Sequence, residues 1–288
     1  METSVQIIAD SSCDLPQALV DRYQIGIVPL AVHFGPETYG DGELDPATFW
    51  EKAAGPHPPK TSQPPVGRFE AFFQSAVEQG RRALCLTITS KHSGTYNAAE
   101  LAAQRFGEDV AVFDSLSLSL GLGWQVLEAA KAAQAGQPIE RILSMLRDFR
   151  RRVRFFVVLD TLENLRRGGR ADAFIGVLDR MTRMLNIKII LNVVDGEIHL
   201  LGAARSFQGG IRRVVRAVDD MAPLQQLGIM HTRNLERAEA LAERFSRLVN
   251  VDRDEMLIQE TGAALACHAG RSALGVAAVM AASEGASR

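Results

Sequence analysis

The chain has 288 residues, 47% hydrophobic and 23% charged, an ordinary globular composition with room for two domains or one large α/β domain. Thirty-two basic residues against 34 acidic ones leave a formal charge of −2, without the basic excess expected of a nucleic-acid binder. The three cysteines lack metal-like spacing, the N-terminus lacks a secretory pattern, and no uncharged apolar run reaches about 18 residues. These features predict a cytoplasmic protein with no membrane span, no disulfide framework and no metal.

In chain order, residues 4–11 (SVQIIADS) read as a buried strand running into Asp10-Ser11-Ser12, and 15–23 as a helix. Residues 25–34 (IGIVPLAVHF) read as a second strand. A long Gly- and Pro-rich connection follows, with a short helix at 45–53 and the stretch Lys60-Thr61-Ser62-Gln63-Pro64-Pro65 at its end. Residues 66–80 read as a helix stopped by Gly80, 82–89 as a strand, 97–107 as a helix, 109–115 as a strand and 122–136 as a helix. Strands alternating with helices at this spacing mean βαβ units, a parallel sheet, and sites at the carboxyl ends of strands. Three such ends carry polar clusters: Asp10 to Ser12, Thr89-Ser90 and Asp114-Ser115. The basic run Arg147 to Arg154 reads as a solvated helix end whose cations complement the dipole.

The character changes near residue 150. Residues 154–161 read as a strand, followed by a basic Gly-Gly turn, Arg166 to Arg170, and a helix with Phe174, Ile175, Val177, Leu178, Met181, Met184 and Leu185 on much of its circumference. Asp195-Gly196 between two β runs marks a hairpin over 186–205. Helices over 207–221 and 234–249, a strand at 227–232 and a final strand leading into a loop at 255–270 complete the reading. It predicts two domains: 1–152, a three-layer α/β/α parallel-sheet domain, and 153–288, an α+β domain with a mixed, largely antiparallel sheet.

Several familiar sites are missing. There is no Gly-x-x-x-x-Gly-Lys-[Ser/Thr] loop, no Gly-x-Gly-x-x-Gly turn, no His-Glu-x-x-His and no Gly-x-Ser-x-Gly elbow. What remains is Ser93-Gly94-Thr95, opening a helix after a strand. A hydroxyl there can cap the helix, or the helix mouth can hold an anion, with Gly94 permitting close backbone approach. Phosphate, acyl oxyanion and carboxylate all stay open on local grounds. Thr61 sits in a proline-stiffened loop that reads as an exposed capping loop or as delivering a hydroxyl to the strand-end cleft. Arg170 belongs to a turn that is solvated or binds an anion, His268 reads as structural more often than catalytic, and Arg205 has the same ambiguity.

The ordered set "ADSSCDLP", "KTSQP", "SKHSGTYNAA", "VFDSLSLSLGLG", "LENLRRGGR", the 186–205 hairpin and "CHAG" resembles the DegV family of bacterial fatty-acid-binding proteins over nearly the whole chain. The resemblance implies one long-chain fatty acid, such as palmitate, buried between two domains, its carboxylate held by Thr61 and Ser93. It also implies a polar second line near the cleft, Arg170, Arg205 and His268, with Gly94 at the mouth. No cofactor beyond the bound acid is implied. In some bacteria such proteins present the acid to a separate ATP-dependent fatty acid kinase, a partner that fits the missing phosphate loop. One departure stands out: the family often carries His-x-Gly-Pro-Gly where this chain reads His268-Ala269-Gly270-Arg271-Ser272. Burying about 15 tail carbons at ~0.8 kcal/mol each offers a gross gain of about 12 kcal/mol, so the head group need only avoid an unpaired buried charge. Two alternatives come from other classes. One is an acyl hydrolase with Ser93 as nucleophile, His268 as base and Asp10 or Asp114 as orienting acid. The other is a nucleotide-binding phosphotransferase.

Overall fold

The structure, a computed structural model, describes residues 4–170 and 187–282; the apolar helix expected around 174–185 lies outside the described residues. The chain divides into two compact units. The first comprises residues up to Arg151 together with Gly262–Cys267, and the second Arg152–Thr261 together with residues from His268 onward.

Within the first unit the strands are β1 (Val5–Asp10), β2 (Gly26–Val28), β3 (Ala31–Phe34), β4 (Glu37–Gly40), β5 (Lys60–Ser62), β6 (Arg82–Thr87) and β7 (Val110–Asp114). Its helices are α1 (Gln17–Arg22), α2 (Pro46–Ala53), α3 (Val66–Glu78), α4 (Thr95–Ala103), α5 (Leu120–Gln134) and α6 (Ile139–Arg152). Four strands form a parallel sheet in the order β2-β1-β6-β7, as the alternating pattern predicts. Successive residues of β1 and β6 are buried on both faces, which is why these strands are apolar runs rather than alternating ones. One face, with Ile8, Ala83 and Cys85, packs against Phe69 and Phe73 of α3 and Ala98, Ala99 and Ala102 of α4. Alanine along α4 lets that helix lie close to its neighbours. Helix α5 packs on β1 and β6 and buries most of its circumference.

The expected single strand over 25–34 is in fact two. Pro29 has no N–H to donate and interrupts the ladder after β2. The chain then enters a separate antiparallel sheet ordered β4-β3-β5. Thus the long connection is structured: it holds β4, β5 and α2, the last capped by Asp45, which accepts from Ala47 N at 2.9 Å. Helix α6, which the sequence reading reached only at its basic end, buries Ile139, Ile142, Leu146 and Phe149 along one stripe.

The second unit contains β8 (Val153–Leu159), β9 (Lys188–Val194), β10 (Glu197–Ala204), β11 (Leu224–His231), β12 (Leu257–Glu260) and β13 (Leu274–Met280). They form a sheet ordered β10-β9-β8-β13-β11-β12, antiparallel throughout except for β11 with β12. The predicted hairpin is β9–β10, turning at Asp195 (φ 50°) and Gly196 (φ 84°), the two positive angles such a tight turn needs. Helices α7 (Glu163–Arg167), α8 (Phe207–Asp219) and α9 (Leu235–Phe245) accompany it. The stripe Phe207, Ile211, Val214, Val215 and Val218 of α8 meets Phe156, Val158 and Ile190 of the sheet, joined by Ala238, Leu241 and Phe245 of α9. Ser206 caps α8, its hydroxyl accepting from Gly209 N at 3.1 Å. Strand β13, which the sequence reading passed over, lies between β8 and β11.

The loop expected before residue 270 is a helix, α10 (Ala263–Ala269). Its Ala264, Ala266 and Cys267 pack with Leu30, Val32, Phe34, Phe49 and Trp50 of the first unit's smaller sheet and α2. Two carboxylates anchor its start: Asp14 accepts from Gly262 N at 2.9 Å and Asp41 from Ala264 N at 3.2 Å. Among the described residues no helix is long and apolar enough to cross a membrane.

Candidate functional site

The polar strand ends of the parallel sheet are structural ties. Asp10 is fully buried; its Oδ1 accepts from Ser12 N at 3.0 Å and Ser12 Oγ at 2.5 Å, and its Oδ2 from Ile88 N at 2.6 Å. Burial lifts its pKa from 3.8 to about 6 even though these hydrogen bonds pull the other way. Asp114, at the end of β7, accepts from Ser90 N at 3.2 Å and Leu116 N at 3.0 Å. Both carboxylates that a hydrolase could use to orient a histidine are therefore spent on main-chain N–H groups and on holding the loops after β1, β6 and β7 in place.

The loop after β6 leads to α4. Sequence reading allowed a hydroxyl cap here, but the capping residue is Gly94, which makes no side-chain capping bond. Ser93 stands one position earlier. Its hydroxyl accepts from Thr95 N at 3.3 Å and lies 2.8 Å from Thr95 Oγ1. Ser93 is half-buried, so it is accessible from one side while its lone pairs are steered toward the first turn. The helix-start N–H groups and the dipole make this mouth favourable for an anion.

Thr61 sits on β5, half-buried and opposite Val32 of β3. Its neighbour Ser62 is held by His33, whose Nε2 lies 2.9 Å from Ser62 Oγ while Nδ1 lies 2.9 Å from Thr38 Oγ1. Beyond Ser62 the chain leaves the sheet, and the carboxamide of Gln63 comes down on Gly94. A Cβ built on Gly94 would lie 1.7 Å from Gln63 Oε1 and 2.7 Å from its Cδ. Hence the Lys60–Pro65 loop and the Ser93-Gly94-Thr95 mouth, far apart in sequence, meet within one unit. Sequence reasoning missed two residues here. Gln63 stands inside the KTSQP motif with no local signal of its contact, and nothing local marks His33.

In the second unit the basic turn and residues 268–270 come together. The ring of His268 packs on the backbone of Gly168, and the Asn164 carboxamide packs on Gly270. Arg170 donates to the Gly168 carbonyl. Burial, with the Arg170 cation adding to it, pushes the His268 pKa from 6.5 down to about 4, so the imidazole is neutral at neutral pH. Arg205 is exposed at the end of β10, one residue before the Ser206 cap. At 271–272, where this chain departs from the family's Pro-Gly, the backbone takes a tight bend. Ser272 adopts the left-handed conformation (φ 64°) where the resemblance leads one to expect glycine, and its N–H donates to Thr232 O at 3.0 Å. Among the described residues no group of three or more His, Cys, Asp or Glu could hold a metal ion.

The geometry so far is an anion-favouring helix mouth with hydroxyls and a carboxamide around it, together with a separate Arg-His pair. Known proteins share this arrangement of chain. The profile of the DegV family, described as "Uncharacterised protein, DegV family", matches residues 4–281. A DegV domain-containing protein of Streptococcus pneumoniae is 30% identical over 276 residues, 94% of this chain and 96% of its own. Among solved structures, fatty acid binding of a DegV family protein from Thermus thermophilus superposes with a TM-score of 0.87 at 32% identity, covering 97% of this chain and 100% of that one. DegV, a fatty acid binding protein from Bacillus subtilis, gives 0.84 at 26% identity with the same coverages. With a profile spanning nearly its whole length and a relative matched almost end to end, the chain belongs to the DegV family.

Proposed function

We propose that this protein is a non-catalytic carrier of one long-chain fatty acid, its carboxylate gripped by Thr61 and Ser93. The observation that carries the reading is the seating of the Lys60–Pro65 loop on the mouth of α4, with Gln63 against Gly94. Two hydroxyl-bearing segments are thereby drawn to a point where helix-start N–H groups favour an anion. Neutral donors can meet the desolvated carboxylate there without a fixed cation, while the tail supplies the affinity. The fatty acid binding named for the Thermus and Bacillus relatives supports the choice of anion. The engagement of Asp10 and Asp114 with main-chain N–H groups weighs against a hydrolase.

The reading extends to Arg170, Arg205 and His268 as a polar second line, and to residues 153–288 as contributors to the acyl tunnel. It gives the protein a cytoplasmic role in lipid transport or fatty acid metabolism, with presentation of the acid to a separate ATP-dependent fatty acid kinase. The test is mass spectrometry of a denatured extract of the purified protein, with palmitate uptake measured after lipid removal. Recovered acyl chains, and uptake weakened roughly tenfold or more by Ser93→Ala and by Thr61→Ala, are expected from the loss of a hydrogen bond to a charged group. An extract without fatty acid and no uptake of palmitate would refute it.

A further inference from the structure

Gly94 invites the usual explanation, a backbone conformation only glycine can adopt, and that explanation fails. Its φ of −78° and ψ of 2° are open to other residues. What position 94 cannot hold is a side chain, because Gln63 already occupies the space: Oε1, Cδ and Nε2 would stand 1.7, 2.7 and 3.3 Å from a Cβ. Glycine at 94 is therefore a matter of room for Gln63. The carboxamide presents its oxygen to Gly94, which leaves the NH2 end farther from it, with two N–H donors. Two nearby hydroxyls have other partners: Ser93 is paired with Thr95, and Ser62 with His33.

We infer that Gln63 is a head-group-positioning residue, whose carboxamide donates an N–H to the carboxylate held by Thr61 and Ser93, and that position 94 is glycine so that Gln63 can reach it. The inference rests on the fatty-acid reading above and adds a third donor and a specificity element to it. Gln63 is exposed at the end of a flexible side chain, so a methyl group at 94 can evict it without disturbing the core. Gly94→Ala and Gln63→Ala should then be two routes to one defect.

The experiment measures palmitate and hexadecanol affinities by calorimetry for the delipidated full chain. The proteins compared are wild type, Gln63→Ala, Gly94→Ala, the double variant and Gln63→Glu, with thermal melts confirming that each is folded. Each single alanine variant should weaken palmitate binding roughly tenfold, the scale of one hydrogen bond to a charged group, and the double variant should lose no more than either single one. Gln63→Glu, which places a negative charge beside the carboxylate, should weaken palmitate beyond the alanine variant but leave hexadecanol close to its alanine-variant value. A merely structural loop residue would not distinguish the two ligands. Wild-type palmitate affinity in Gln63→Ala, additive losses in the double variant, or equal loss of both ligands in Gln63→Glu would each overturn the inference. Failure of the wild-type chain to bind palmitate would instead refute the underlying fatty-acid reading, and this inference with it.

Discussion

Raising the pH from about 4 to about 7.5 should weaken the first unit through Asp10 alone, by about 2–3 kcal/mol. Burial at the end of β1 holds this carboxyl at a pKa of about 6, against 3.8 for the same group in an unfolded chain. The folded protein thus keeps a proton over a range in which the unfolded chain has lost it. The stability this brings is complete below pH 3.8 and is lost as the pH rises through about 6. Asp10→Asn has no proton to lose. It keeps an oxygen for one set of partners but turns an N–H toward another, Ile88 N or the Ser12 donors, a pH-independent cost of about 1–3 kcal/mol. The informative quantity is the stability difference between the two proteins across pH, because groups common to both largely cancel. That difference should move by about 2–3 kcal/mol in favour of Asp10→Asn between pH 4 and 7.5. Urea unfolding followed by tryptophan fluorescence reads the right unit, since both tryptophans, Trp50 and Trp124, are buried within it. A difference that stays flat with pH would refute the argument that burial outweighs the hydrogen bonds to Asp10.

The second unit should respond with the opposite sign. His268 titrates near pH 4 rather than 6.5, so its contribution is present above pH 6.5 and is lost as the pH falls toward 4; an imidazole proton resonance with a midpoint near 6.5 would contradict this. Gly210→Ala should destabilise the second unit by about 1–2 kcal/mol in denaturant unfolding, despite alanine's better helix propensity. Its Cβ would lie 2.8 Å from Val158 Cγ1 where α8 crosses β8, and a gain in stability would show that the contact yields freely.

Much of the fold was legible because its grammar is local. Apolar runs of strand length alternate with amphipathic runs of helix length in the first 136 residues, and Asp195-Gly196 marks the hairpin by itself. The failures share a physical cause. The strand expected over 25–34 is apolar from Ile25 to Val32, so only Pro29 signals that the ladder stops and the chain changes sheets. Strands β4 and β5 are four and three residues long, too short for period-two alternation to stand out, and are held in register by β3. Strand β13 is a seven-residue run without alternation, because it is central and buried on both faces; periodicity cannot tell such a run from a helix segment.

The candidate site was legible in a different way. Its residues lie in short motifs that each admit a bland reading, and no local signal says that residue 63 touches residue 94. What joins them is steric: a carboxamide fits over an α-carbon that bears no side chain. The same holds for the ties around it, which reach from Asp10 to Ile88, from Asp14 to Gly262 and from Asp41 to Ala264. Each is a short polar side chain satisfying a main-chain N–H far away in sequence, and any of these carboxylates could have been read as chemistry. Burial with complete hydrogen bonding argues for scaffold, since a reactive group must keep a lone pair or a proton available to a ligand. By that criterion Asp10 is scaffold, and Gln63, exposed at an anion-favouring mouth beside a glycine that leaves it room, is the residue to test.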